Sequence, residues 1–431
     1  MRGVLFALSL GCALPVAAEE YHRLEGHGGP VMDIAVGSSG KVATASFDNA
    51  VGLWSDAEPA WQDGHEAAVN TVHFLSDSAL VSGADDFDLI RWDLVSGGSE
   101  RLEGHQGKVM ALASSEEFIA SASWDGSVGL WPRGGGAPRF LLGHDGPVND
   151  VAFADGGALL YSASADGTIR TWAVDTGTEQ TRVVEHGFGL NELILDEGAG
   201  WLAYGAVDGV TRVIELGTGR SLADLTLDRR PILALARSQD GARLAIGDGE
   251  GFISVVATED WSIERDFRAA TRGPIWALAF APSSEMLYAA GLDTAVHAWP
   301  VATLSDQEQM QTEDAAFLSD PDEMPNGERQ FKRKCSICHT LTPGSARRAG
   351  PSLHDLFGRR AGTVDDYTYS DALEVSDLVW TEETVDALFD IGPDHYIPGT
   401  KMPMQRITGA EDRADLIAYL RQETAPKEDQ E

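Results

Sequence analysis

Two cysteines separated by two residues and followed at once by a histidine stand at Cys335-Ser336-Ile337-Cys338-His339. Thiols at that spacing can add to the two vinyl groups of one porphyrin, and the adjacent imidazole is then delivered to the iron as its proximal ligand. Further on comes Gly399-Thr400-Lys401-Met402-Pro403, with Met402 placed 63 residues after His339. A thioether is a soft ligand that favours ferrous iron. Opposite a histidine it closes the coordination shell, so the metal passes electrons instead of binding substrate. The pairing predicts one covalent haem c, held by Cys335 and Cys338 and ligated by His339 and Met402. Met404, two residues on, is the close rival for the sixth position.

A CxxC alone also fits a zinc knuckle or a redox dithiol, and a lone methionine is usually core filler. The conjunction is stronger, and its surroundings narrow it further. They read Gly350-Pro351-Ser352-Leu353-His354, Tyr367-Thr368-Tyr369-Ser370, Trp380-Thr381-Glu382-Glu383, Tyr396-Ile397-Pro398-Gly399 and Asp415-Leu416-Ile417-Ala418-Tyr419. In order and spacing, Gly327 to Thr424 resembles class I cytochrome c of the mitochondrial and bacterial soluble type, an all-α fold. The resemblance implies that Pro351 offers its carbonyl to His339 and that Tyr369 and Trp380 lie by a haem propionate. It also implies that Gly327 and Phe331 of the first helix pack against Tyr419 of the last. Two departures stand out. Leu373 replaces a frequent Asn, and Leu388-Phe389 replace a buried Tyr, which predicts a thinner polar network behind the methionine.

Upstream, the chain repeats itself. Gly-His pairs at His27, His65, His105 and His144 each precede a strand-like run, then a Ser/Thr-x-x-x-Asp turn, then a Trp six residues after the Asp. The Asp/Trp pairs are Asp48/Trp54, Asp86/Trp92, Asp125/Trp131 and Asp166/Trp172, with Asp293/Trp299 at the end; Asp208/Ile214 and Glu250/Val256 keep the register without tryptophan. Strands at this spacing mean an all-β repeat architecture of seven units. It resembles a seven-bladed WD-repeat β-propeller. In that family a loop His, a strand Ser or Thr, the turn Asp and the strand Trp form a hydrogen-bonded chain. The complete sets here would be His27/Thr44/Asp48/Trp54, His65/Ser82/Asp86/Trp92, His105/Ser121/Asp125/Trp131 and His144/Ser162/Asp166/Trp172. Their regular spacing makes these histidines structural and leaves no call for a catalytic role or a second haem. The fifth unit keeps only His186 and Asp208, the sixth keeps nothing and the seventh lacks His and Ser, which predicts a softer part of the ring. Tyr21-His22-Arg23-Leu24 resembles the strand before each later Gly-His, so it can complete the seventh blade and remove the exposed edges. The residues just before the turn Asp, including Phe47, Asp85 and Trp124, lie on the face such propellers most use for partners.

Charge and composition bound the remainder. The 431 residues carry a formal charge of −36, which argues against nucleic acid or an anionic membrane as partner. Most of the acid lies in residues 1 to 301, with 42 acidic against 19 basic residues. Arg2, an apolar run from Val4 to Leu14 and Val16-Ala17-Ala18 read as a signal peptide cleaved after Ala18. No other run approaches membrane-spanning length. Ser9-Leu10-Gly11-Cys12 is a poor lipobox, so Cys12 is read as filling the signal's core. Residues 304 to 326 contain no Lys or Arg and read as an acidic linker.

The resulting domain plan is a signal peptide at 1–18, a propeller at 19–303, an acidic linker at 304–326, a cytochrome c domain at 327–424 and a charged tail at 425–431. The whole predicts a periplasmic single-electron carrier whose propeller recruits a protein partner. Basic clusters at Lys332-Arg333-Lys334, Arg347-Arg348, Arg359-Arg360 and Lys401 would meet an acidic redox partner, or dock weakly on the chain's own acidic propeller. Two other readings stay open. One is a haem-dependent oxidoreductase whose propeller binds substrate or a second cofactor, and the other is a redox-sensing scaffold.

Overall fold

The computed structural model describes residues 20–55, 58–306 and 324–425. The signal peptide, its cleavage after Ala18, Cys12, most of the acidic linker and nearly all of the charged tail lie outside the described residues.

Seven four-stranded antiparallel sheets follow one another in chain order. Each is a meander built from alternating apolar runs broken at turn residues. Blade one is Val31–Val36, Val42–Ser46, Ala50–Trp54 and Pro59–Asp63. The second and third strands of each blade are buried on both faces, against their own sheet partners and the next blade, and so read as near-continuous apolar runs. Apolar clusters fill the wedges between neighbouring sheets, such as Val69, Val72, Leu80, Ile90 and Trp92 of blade two against Ala43, Ala45, Val51 and Leu53 of blade one.

The ring closes as the sequence implied. His22–Leu24 pairs antiparallel with Val296–Pro300, His22 opposite Ala298, so the first strand of the chain is the outer strand of the last blade. No propeller edge strand is left without this partner at the seam.

The four complete tetrads are present. In blade three His105 Nδ1 contacts Asp125 Oδ2 at 2.8 Å, His105 Nε2 contacts Ser121 Oγ at 2.7 Å, and Trp131 Nε1 donates to the same Oγ at 2.8 Å. Blades one, two and four repeat this pattern. Burial would raise the Asp125 carboxyl, but hydrogen bonds from His105, Ser127 and the Gln106 amide outweigh it and hold it below the usual carboxylate range. A depressed folded-state pKa stabilises above the unfolded value near 4 and loses that contribution as pH falls. Ser121→Ala leaves two buried groups unpaired, at about 1 to 3 kcal/mol each. We expect it to lower propeller stability by about 2 to 4 kcal/mol in urea titrations followed by tryptophan fluorescence. We expect Asp125→Asn to flatten the loss of stability below about pH 4.

The later blades keep the register and replace the chemistry. Leu202 opposite Ile214 and Leu244 opposite Val256 occupy the rung of Val42 opposite Trp54. In blade six the turn is held by Asp248 and not by Glu250: Asp248 Oδ1 accepts from the amides of Glu250 and Phe252, each at 2.9 Å. Arg229 ties Asp248 to Asp266 at 3.2 and 2.6 Å. In blade seven, His297 bridges Asp293 at 3.0 Å and the Tyr21 hydroxyl at 2.9 Å. The sequence reading found no tetrad there because its histidine comes from the third strand.

Blades are also stapled to each other near the central axis. Asp33 accepts from the Val72 amide at 2.9 Å and Asp150 from the Leu193 amide at 2.8 Å. Asn70, Asn149 and Asn191 donate to Val109, Leu190 and Ile232 carbonyls of the following blade.

The C-terminal domain has five helices, α1 (Asn326–Lys334), α2 (Asp371–Glu374), α3 (Glu382–Ile391), α4 (Pro393–Tyr396) and α5 (Ala410–Glu423). Helices α1 and α5 cross where Gly327 has no side chain: a Cβ there would fall 2.2 Å from the Asp415 carbonyl oxygen. Phe331 and Tyr419 pack beside the crossing with ring centroids 5.7 Å apart. Thr381 and Thr384 form a reciprocal capping box at the start of α3. Leu388 and Phe389, the departure noted above, are buried in the common core with Leu416 and Leu420.

Candidate haem site

Helix α1 delivers the motif. Its last turn runs into Cys335, and the His339 amide donates to the Cys335 carbonyl at 2.9 Å, so both thiols and the imidazole sit on one continuous turn. The Gly350 amide donates to the Cys338 carbonyl at 2.8 Å, which lays the Gly350-Pro351 segment along the imidazole. His339 Nδ1 then donates to the Pro351 carbonyl at 2.8 Å, leaving Nε2 as the nitrogen available to a metal. Gly350 is required for this approach, because a Cβ there would stand 2.3 Å from His339 Cε1.

A cavity of about 720 Å³ opens beside these residues, within the range of cofactor sites. All seven residues singled out from sequence line it: Cys335, Cys338, His339, Pro351, Tyr369, Trp380 and Met402. The remaining wall is mostly apolar and includes Leu353, Leu356, Val385 and Leu388. Tyr369 is held by the Val364 amide, which donates to its hydroxyl at 3.3 Å, and its ring meets that of Tyr367 at 4.9 Å. Gly399, at φ 86°, turns the chain so that Met402 enters the core cluster, with its amide donating to Thr400 Oγ1 at 3.2 Å. Met404 also borders the cavity but is 50% exposed and lies against Gly392, which makes Met402 the better-placed sulfur.

The electrostatics suit an apolar, covalently held group. Burial pushes the Cys335 thiol up to about 12, reinforced by Cys338, and pushes Cys338 up to about 11. Among the described residues no group of three or more His, Cys, Asp or Glu is arranged to hold a metal ion. Burial also lowers the His339 pKa, against the opposing hydrogen bond to Pro351, and keeps the imidazole in the neutral form that ligates iron.

Of the basic clusters, Lys334, Arg359 and Lys401 border the cavity, and several of the other members have partners within the chain. Lys332 pairs with Glu328 at 2.8 Å within α1, where positive charge suits the helix C-terminus. Arg348 donates to the Ser336 carbonyl at 2.9 Å, and Arg359 donates to the carbonyls of Ser352 and His354 at 2.8 and 2.5 Å. Arg347 reaches the propeller: its Nη2 lies 2.5 Å from Asp63 Oδ1 and its guanidinium 4.1 Å from the Trp61 ring. Arg347 thus supplies an ion pair between the haem domain and blade one, and Lys334 lines the same cavity as Glu66 and Asp85 of the propeller.

Sequence reasoning missed the propeller's share of the cavity. Phe47, Asn49, Ala67, Ala68, Phe87 and Lys108 line it from blades one and two and the start of blade three. Phe47 and Asp85, read as partner-face residues, face the chain's own haem domain, whereas Trp124 is 46% exposed and donates to Asn149 Oδ1 at 3.0 Å.

Comparison with known proteins agrees with this division. The cytochrome c family matches residues 325–424, and the WD domain, G-beta repeat, matches 18–55, 60–93, 99–132, 136–173 and 261–300. The unmatched residues 174–260 contain blade five and the first three strands of blade six, where the tetrads fade. Cytochrome c of Sesamum indicum is 44% identical over 107 residues, spanning 24% of this chain and 94% of that protein. Cytochrome c of Nigella damascena is 45% identical over 102 residues, 23% of this chain and 89% of its own, and that of Ginkgo biloba 41% over 112, 26% and 98%. Among the described residues no helix is long and apolar enough to cross a membrane. Through its C-terminal quarter the chain belongs to the cytochrome c family, and it carries that domain behind a seven-bladed WD-repeat propeller.

Proposed function

We propose that this protein is a periplasmic single-electron carrier with one covalent haem c, and that its propeller is the platform on which protein partners are recruited. The observation that carries the reading is the convergence of Cys335, Cys338, His339 and Met402 on one apolar cavity. Bound there, haem iron supplies a one-electron couple. The chain's own residues set its surroundings. Cys335 and Cys338 anchor the porphyrin, and the Pro351 carbonyl fixes the tautomer and plane of His339 and raises its basicity as a ligand. Met402 would offer the bound iron a soft thioether, which favours the reduced state. Leu353, Leu356, Val385 and Leu388 keep water from the metal. A closed shell of this kind moves electrons without bond making. The apolar run before Glu19 supports export to the periplasm.

The test is stoichiometry. Protein matured with its leader should carry one haem per chain that survives acid extraction, and Cys335→Ser with Cys338→Ser should carry none. Haem that extracts freely from the parent chain, or a second equivalent bound by residues 19–303, would overturn the carrier reading.

A further inference from the structure

Blades one to six turn from their second to their third strand through the same tight bend, closed by an amide donating three residues back. Gly126, Gly167, Gly209 and Gly251 fill that position in blades three to six at φ 85°, 81°, 90° and 88°. Asn49 fills it in blade one at φ 71°. Blade two has Phe87 there, at φ 74°, its amide donating to the Ala84 carbonyl at 3.2 Å. A left-handed backbone suits glycine, tolerates asparagine and disfavours a bulky aromatic residue. The Phe87 ring is moreover 42% exposed on the propeller, so burial in the propeller core does not compensate. It points instead into the haem cavity, on the same side as Phe47 and Ala67. A strained residue with a large apolar side chain aimed at a site marks a position kept for that site.

We propose that Phe87 is a haem-pocket residue supplied by the propeller, and that with Phe47 it forms the outer wall of the cavity, so that the propeller face and not solvent meets the porphyrin edge. This rests on haem being held at Cys335 and Cys338. The haem domain is brought into place by the Arg347 contact to Trp61 and Asp63 and by the close approach of Gly28, where a Cβ would fall 2.3 Å from the Ala346 carbonyl oxygen. Electron exchange with a partner then either crosses the Phe87 side or follows release of the haem domain from blades one and two.

The experiment compares the full-length holoprotein with Phe87→Gly, Phe87→Leu and Gly28→Leu. Phe87→Gly introduces the residue of blades three to six, so propeller melting should rise by roughly 2 °C. At the same time its Soret circular dichroism, which reports aromatic rings beside the porphyrin, should weaken. Reduction by a small neutral mediator should speed up at least threefold. Phe87→Leu, which keeps an apolar wall, should stay within twofold of the parent rate. Gly28→Leu should reproduce the spectral and rate changes of Phe87→Gly and enlarge the scattering radius of the full chain. A parent chain without covalent haem would overturn the functional reading and this proposal together. Full haem content with unchanged Soret dichroism and rate in Phe87→Gly would overturn the assignment of Phe87 alone. Altered haem spectra in Gly28→Leu but not in Phe87→Gly would likewise overturn it, since the wall would then be made by other residues.

Discussion

Met402→Ala is expected to lower the reduction potential by on the order of 0.2 V, a fraction of the roughly 0.8 V over which axial ligands tune haem. The ferric protein should lose its methionine-sulfur charge-transfer band and pass to a high-spin or water-ligated form, because the Ala side chain cannot reach the metal. Met404→Ala is the control. Its side chain is half exposed and Pro403 separates it from Met402, so band and potential should stay those of the parent. Spectroelectrochemical titration of both variants decides the matter, and a parent-like Met402→Ala would transfer the sixth position to Met404.

The second large effect concerns the other axial side. Gly350→Val should abolish stable haem attachment or leave it weakly ligated. The new Cβ would stand 2.3 to 2.8 Å from three atoms of the His339 ring, and the ring cannot swing away without giving up the Pro351 carbonyl. Overpacking of this kind typically costs about 1 to 3 kcal/mol in a core, and here it falls on the ligand itself. Haem content by absorbance per chain, with magnetic circular dichroism for spin state, reads the result. Normal content and a low-spin spectrum would show that the Gly350 segment yields more readily than its hydrogen bond to Cys338 implies.

Much of this was legible before any coordinates. Residues that must touch a defined group at fixed offsets leave a local signature, which is why Cys335, Cys338 and His339 could be named from spacing. The tetrads were equally visible, because one hydrogen-bond chain recurs four times at one register. What escaped notice was chemistry that keeps a position but changes residue type. His297 and Tyr21 tie blade seven from segments far apart in sequence, and Asp248, two residues earlier, takes over from Glu250. Contacts between the two domains leave no periodicity at all. Arg347 looked like one of several solvated cations, yet it alone finds Trp61 and Asp63. Phe87 did leave a trace, a bulky residue in a column of glycines, which aligning the blades on their turns would have exposed.

The pairing of His22–Leu24 with Val296–Pro300 fixes an order of assembly. The first described strand waits for a partner 276 residues later in the chain. Until then blade seven lacks its outer strand and the nascent ring is an open arc with an unpaired rim, the state most exposed to wrong pairing. Once residue 300 is out, the arc shuts, and only afterwards does the haem domain emerge to find blade one already seated beside the seam. Removing the chain up to a few residues past Glu20 would therefore act at a distance: it loosens the clasp next to the blade that Arg347 grips, and the two halves would come apart from that side first.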